Sequence, residues 1–532
     1  MHRVLGIAEV LRAVFLLCDK PANSRNAQVC RAWNGVALDI LWEEIEDLLP
    51  VFKILGDVSS SNDRQYFSRK PTSGAWRRFQ SVYAPRVHTL NCENLDIKQQ
   101  DRMSSMMDVL ARLQHSGPIF PNLTTFIWGE IDSPGYVHYS IIFMHIKVTD
   151  FRLRARSQAV KGEEKGWSEY FEALSQRMPA LENLEVEMNR ANHAVCRRPL
   201  GALSKALSAL TGLSLPAMND ASDTLEELSH CPQLESIEFT RETKDEGIQT
   251  ISLLALTNLD TFQHLQQLRI HISYPALTHF LRSSPSCAPS LHTLVVFTAS
   301  HHTETPSTIG ELLDIVARCF EKSLKLLCLQ MDDRYPPNQL PQPPQYNDQD
   351  ILRFHHIEQV LRCSHMADFV LDYGLPLALT AHDFEKIASS WPSLKLLSLC
   401  QDVRRDFPEN SSFGYPGLDA LAPLAKGCPQ LELIALRLAP VVNAEIDDLS
   451  IPLLPNLHTL TLGDVVEQFD PVRVTIFLSQ VLPSGCTLNA ESCSKSPAIA
   501  RSQESVAEWN VGWRDVKMGL QLIEALKKRT VG

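Results

Sequence analysis

Thirteen times along the chain an apolar residue is followed by two arbitrary positions, a second apolar residue, one further position and a third apolar residue. The instances begin at Val87, Leu123, Val148, Leu181, Leu210, Leu234, Leu265, Leu291, Leu324, Met366, Leu394, Leu431 and Leu457, at steps of 24 to 42 residues. Eight of them have Pro two residues earlier, as in "PNLTTFIW", "PSLKLLSL" and "PNLHTLTL". The alternation that closes each instance puts two side chains on one face of a short strand. Between instances, "SEYFEALSQRM", "IGELLDIVARCF" and "HDFEKIASSW" have helical periodicity. One strand with its return crossing cannot bury its apolar face alone, but stacked neighbours can.

This is the pattern of a leucine-rich repeat. The Asn or Cys usual three residues after the last leucine occurs once, as Asn189, so the repeats are irregular. An ordinary α/β domain gives no reason to place Pro at one offset eight times. The Pro-, Gln- and Asp-rich stretch 332–350 is expected to be a solvated loop inserted in one crossing. Residues 489–505 read as a second polar loop. After it Trp513, Val516, Leu520 and Ile523 return at helical spacing, as a helix covering the end of a stack would.

The N-terminal stretch follows a different rule. Ile7, Val10, Leu11, Val14 and Leu17 form one helical stripe. Pro21 and its polar neighbours break it, with Asn23 or Ser24 capping a second helix that runs to about Trp33. Asn34-Gly35 reads as a turn, and a third helix carries Leu38 and Trp42 four residues apart. Three such short helices bury too little surface to stand alone. The patch therefore packs on the rest of the chain or binds a partner.

The order "IAEVLRAVF…VCRAWNGVALDILW" resembles an F-box, with Val29-Cys30-Arg31-Ala32-Trp33 and Leu41-Trp42 matching its best-marked parts. Where that motif starts Leu-Pro, this chain has Ile7-Ala8. The segments that follow are similar in style to a large fungal group of F-box proteins with leucine-rich repeats. The resemblance implies docking on the Skp-type adaptor of a Skp–cullin–F-box ubiquitin ligase, with the repeats holding a target protein. It implies adaptor contacts from Ile7, Val10, Leu11, Val14, Val29, Trp33, Leu41 and Trp42. The alternative is an interaction scaffold outside any ligase, in which the Ile7-Ala8 start has lost the adaptor.

The expected architecture is thus an α/β solenoid: a three-helix F-box-like bundle, then an irregular leucine-rich-repeat horseshoe. Its parts are residues 1–55 (bundle), 56–85 (connector), 86–490 (repeats) and 491–532 (polar loop and capping helix). Residues alternating with the buried ones should face the concave side and meet the target. These are Glu185, Glu187, Glu238, Arg269, His271, Val295, Phe297, Leu326, Leu396 and Leu433. The charged early repeats would steer, and the later apolar band would anchor.

Composition narrows the remaining choices. Of 532 residues 44% are apolar and the net charge is −12, with no long basic stripe, so nucleic acid is not the expected partner. Thirteen scattered cysteines without a CxxC pair suit reduced thiols in cytoplasm or nucleus. Glu9 and Arg12 interrupt the one signal-like stretch, and no run is long and apolar enough to span a membrane. Neither P-loop, dinucleotide-binding, GxSxG nor HExxH spelling occurs. His301-His302 and His355-His356, even with Cys363 and His365, match no common zinc spacing. No enzyme activity and no cofactor are expected.

Overall fold

A computed structural model describes residues 7–61, 64–93, 97–113, 117–129, 136–155, 164–188, 206–216, 231–240, 262–284, 287–298, 304–331, 348–373, 377–400, 414–440, 453–463, 469–490 and 503–531, with residues 196, 200, 202, 203 and 228. Most of the Pro-rich stretch and of the second polar loop, Asn189 and His301-His302 lie outside the described residues. The chain packs as two compact units, Met1–Asp245 and Glu246–Gly532.

Each of the thirteen predicted positions stands two residues before a strand, from Val87 ahead of Thr89–Cys92 to Leu457 ahead of Thr459–Leu462. None of the thirteen side chains is more than 2% exposed. The eight prolines have a local cause. Leu123 N donates to Phe120 O at 3.2 Å, closing a turn whose second residue is Pro121. The same turn closes from Leu291 to Ala288 (3.0 Å), Leu394 to Trp391 (3.1 Å) and Leu457 to Leu454 (3.2 Å). Proline has its backbone angle preset for that place and needs no N–H there.

Two further strands lack the pattern: Glu44–Ile45, paired with Thr89–Leu90 in the first unit, and Thr487–Asn489, paired with Thr459–Thr461 in the second. Among the described residues the repeat strands number seven in the first unit and eight in the second, parallel within each unit, with helical crossings between many of them. The fold is a solenoid-type α/β architecture of the leucine-rich-repeat kind.

Register explains the inward columns. In the first unit Leu90, Phe126, Phe151 and Leu184 are successive partners, all buried. In the second unit Leu294, Leu327, Phe369, Leu397, Ile434 and Leu460 form the equivalent column. The crossings cover the core from the other side. Helix Pro306–Phe320 buries Ile309, Leu312, Leu313, Val316 and Phe320, and the Thr305–Thr308 capping box starts it. Gly427 admits a close approach between crossings, since a Cβ there would sit 2.7 Å from that of Ala388.

The N-terminal bundle consists of α1 (Ala8–Leu16), α2 (Lys20–Asn26) and α3 (Arg31–Glu43). Two expectations are corrected. Asp19 caps α2, accepting from Ala22 N at 2.8 Å, while Asn23 is buried and donates to Phe15 O at 2.9 Å. Asn34-Gly35 is not a turn. It lies inside α3, which also carries Trp33. Nothing lies within 4 Å of a Cβ added at Gly35, so the glycine marks no tight turn; the Asn34 amide donates back to Ala27 O at 2.7 Å and closes the α2–α3 corner.

Candidate protein-binding surfaces

α1 is apolar over more of its circumference than its neighbours cover. Leu11 and Phe15, one turn apart, form the bundle core with Ala37, and Trp33 meets Phe15 edge-on at 5.2 Å. Ile7, Val10, Val14 and Leu17 form the adjoining row. There Ile7 is 47%, Val14 44% and Leu17 90% exposed, with Val10 half-buried. Val29, between α2 and α3, is also exposed. Arg12 on α1 pairs with Glu43 on α3 at 2.7 Å.

The structure therefore divides the predicted stripe in two. Leu11 belongs to the core and is 1% exposed, while Ile7, Val14 and Val29 are open. Leu41 and Trp42 are half-buried, and Trp42 packs against Tyr83 of the connector at 4.9 Å. Arg86 pairs with Asp39, and His88 N donates to Glu43 O at 3.0 Å, so α3 leads directly into the first strand pair. Leu17 was visible in the sequence stripe, but its near-complete exposure follows only from where α1 ends.

The outward strand face of the first unit is a charge ladder. Register sets Arg152 beside Glu185 and Arg154 beside Glu187. Arg152 binds Glu185 at 2.5 Å, and Arg154 reaches Glu187 at 3.2 Å and also pairs with Glu93. One step lower, Asn183 donates to Asp150 at 2.7 Å. Burial pushes the Glu185 carboxyl above the ordinary carboxylate range, opposed by Arg152. Glu185, Glu187 and Glu238 are all half-buried. Alternation located these glutamates, but the arginine partners follow only from register.

The second unit displays something else. Leu326, Asp368, Leu396 and Leu433 are consecutive partners in one outward column, and each is half-buried. Beside it run Arg269, Val295, Cys328, Val370, Ser398 and Ala435. Arg269 is exposed and lies over the Phe297 ring at 5.5 Å. His271 stacks on that ring at 4.8 Å and is itself buried, as is Val295. Asp368 is the one carboxylate of the aliphatic column. Burial pushes it up, Lys395 opposes that, and Glu432 adds to it.

Among the described residues no helix is long and apolar enough to cross a membrane, and no three His, Cys, Asp or Glu side chains are grouped to hold a metal ion. No family model matches the chain, and no curated protein does. Among solved structures, the chain is similar to the complex of Rad7 and Elc1 from yeast at 13% identity and a TM-score of 0.34, over 76% of this chain and 87% of that one. It is also similar to the leucine-rich repeat-containing protein LegL7 from Legionella pneumophila, at 12% identity and a TM-score of 0.31, over 57% and 90%. A third is the TLR13–ssRNA13 complex, at 13% identity and 0.31, over 78% and 58%. Scores this low add nothing about function. The assignment of leucine-rich-repeat architecture rests on the chain's own strands and register.

Proposed function

We propose that the protein is the substrate-recognition subunit of a Skp–cullin–F-box ubiquitin ligase. The observation that carries this is the open apolar row Ile7, Val10, Val14 and Leu17, beside the Val29-Cys30-Arg31-Ala32-Trp33 spelling that leads into α3. A row of that kind on so small a bundle suits a protein interface. The row would meet a Skp-type adaptor and through it a cullin, in cytoplasm or nucleus. The outward strand faces would hold a target protein. The chain itself would carry out no chemistry and would contribute proximity and orientation.

A second reading is a repeat scaffold outside any ligase, favoured by Ile7-Ala8 in place of Leu-Pro. Co-precipitation with a Skp-type adaptor separates the two. Val14→Asp with Leu17→Asp changes only exposed positions and should weaken adaptor binding about 100-fold, the size of one or two interface hot spots. Leu11→Asp is unsuitable, because it would unfold the bundle. If the wild-type chain captures no adaptor while folded, the scaffold reading holds.

A further inference from the structure

Within the second unit one half-buried carboxylate interrupts an aliphatic column. Register sets Asp368 between Leu326 and Leu396, with Leu433 one strand further on. All four side chains are half-buried. Among the described residues Asp368 takes part in no ion pair. Lys395 offsets its charge, but the Lys395 ammonium pairs with Glu432 at 3.5 Å. Arg269, on the same face, lies over the Phe297 ring, three strands away from Asp368. At about 4.8 Å per strand the separation is about 14 Å, more than a Debye length at physiological salt.

A partner that anchors on the three leucines takes water away from Asp368 as well. An ionised carboxylate sealed under an apolar surface costs far more than one met by a cation that hydrogen-bonds it. The column therefore selects for positive charge at one place and against an unbroken apolar surface. Spacing narrows the shape of the partner. From Leu326 to Leu433 the column crosses three strand spacings, again about 14 Å. One face of an α-helix offers side chains at i, i+3, i+7 and i+10 within about 15 Å. Four same-face positions of an extended segment span about 20 Å and fall out of step. The neighbouring row, Cys328, Val370, Ser398 and Ala435, has side chains smaller than leucine, which leaves a helix room beside the column.

We propose that this column binds an amphipathic helix of the target protein with one Lys or Arg set in its apolar stripe. The cation meets Asp368, and the apolar side chains meet Leu326, Leu396 and Leu433. The inference rests on the reading of the outward strand face as the target-binding surface, and it names what that surface selects. Asp368 is next to the end of the column. The basic residue is therefore the second of the four contact positions, or the third when the helix runs the other way.

The probe is a displayed library of single helices on an alanine- and glutamine-rich framework, randomised at i, i+3, i+7 and i+10 and selected on the full-length protein. Enriched helices should hold Lys or Arg at the second or third randomised position and apolar residues at the other three. In fluorescence anisotropy, Leu326→Ser with Leu396→Ser should abolish their binding. Asp368→Asn should weaken it at least about tenfold, and changing the basic residue of the helix to Gln should then cost nothing more. Asp368→Lys should reject the basic helix and accept its Glu counterpart, a rescue that a misfolded variant would not show. Helices that need the leucines but carry no preference for a basic residue would overturn the proposal and leave the surface reading in place. So would helices that bind Asp368→Asn as tightly as wild type. A library yielding no binder dependent on Leu326 and Leu396 would overturn it too. Capture of a Skp-type adaptor should be unaffected by all of these changes, so the ligase reading stands or falls separately.

Discussion

Two residues beyond the repeat leucine, the first unit carries Asp150 and Asn183 and the second carries Leu326, Leu396 and Leu433. Four residues beyond it, Arg152, Glu185 and Glu238 stand against Val295, Cys328, Val370 and Ala435. The inward columns of the two units are of one kind, built from Leu, Phe and Ile. Stacking dictates the buried positions, because a parallel strand must offer its neighbours an apolar face. It leaves the alternate positions free. The first unit uses that freedom to neutralise charge within itself, as Arg154 does between Glu93 and Glu187. The second unit leaves Leu326, Leu396 and Leu433 half-exposed, with Arg269 and Asp368 as the charges on that face, and these leucines can lose water on contact with a partner. Ion pairs that are already satisfied gain little from a partner, whereas half-exposed aliphatic side chains can still be buried.

The comparison fails most severely if inward and outward positions prove equivalent. Leu397→Ala removes a fully buried side chain and should cost about 2–5 kcal/mol, whereas Leu396→Ala, half-buried next to it, should cost under about 1.5 kcal/mol. Hydrogen exchange of the strand Leu396–Leu399 measures both locally, without assuming that a repeat array unfolds in one step. Similar losses would mean that the outward leucines belong to the fold.

Target capture sharpens the difference between the units. Changing Leu326, Leu396 and Leu433 together to Ser should leave the melting temperature nearly unchanged and weaken target binding about 100-fold. The pair Glu185→Lys and Glu187→Lys should mainly change the association rate and its salt dependence. The opposite ranking would move the anchor to the charged unit.

The smallest effect concerns pH. Burial raises the carboxyls of both Asp368 and Glu185. As pH falls from neutral toward the ordinary carboxylate range, the folded chain binds these protons before the unfolded chain does. That part of the stability should therefore rise on acidification and fall as pH climbs through the raised values. Asp368→Asn should flatten this slope and raise the melting temperature slightly at neutral pH. Glu185→Gln should flatten it too but without the gain, because it also breaks the contact with Arg152. An Asp368→Asn chain with the wild-type slope would place that titration elsewhere.

Most of the repeat architecture was legible because the turn and the two inward side chains leave a local trace. Leu210 and Met366 have no Pro before them, yet each precedes a strand like the others. Glu44–Ile45 and Thr487–Asn489 left no trace. One is a two-residue continuation of α3, and the other follows Gly485 at a positive φ of 86°, where a leucine approach would be expected. The helix boundary at Asn34-Gly35 was misread because a turn preference is weak beside tertiary packing. The surfaces were harder to read. Spacing put Leu11 and Val14 on one stripe, and only the position of α3 separates the covered edge from the open one. The ladder of Arg152 and Arg154 depends on which strands are neighbours, which lies beyond any one segment.

The proline turns have a consequence for how the chain tolerates change. Repeat lengths vary from 24 to 42 residues, yet each of the thirteen patterned strands starts two residues after its repeat apolar side chain. Phase is therefore set afresh in every repeat and is not carried over from the one before. A residue gained or lost in a crossing shifts no inward leucine outward in the next strand, so the error stays where it arose. The same single-residue shift between the turn and the strand would reverse which side chains are buried. The molecule thus separates places where length is free from places where it is not, and drift in sequence should accumulate in the former.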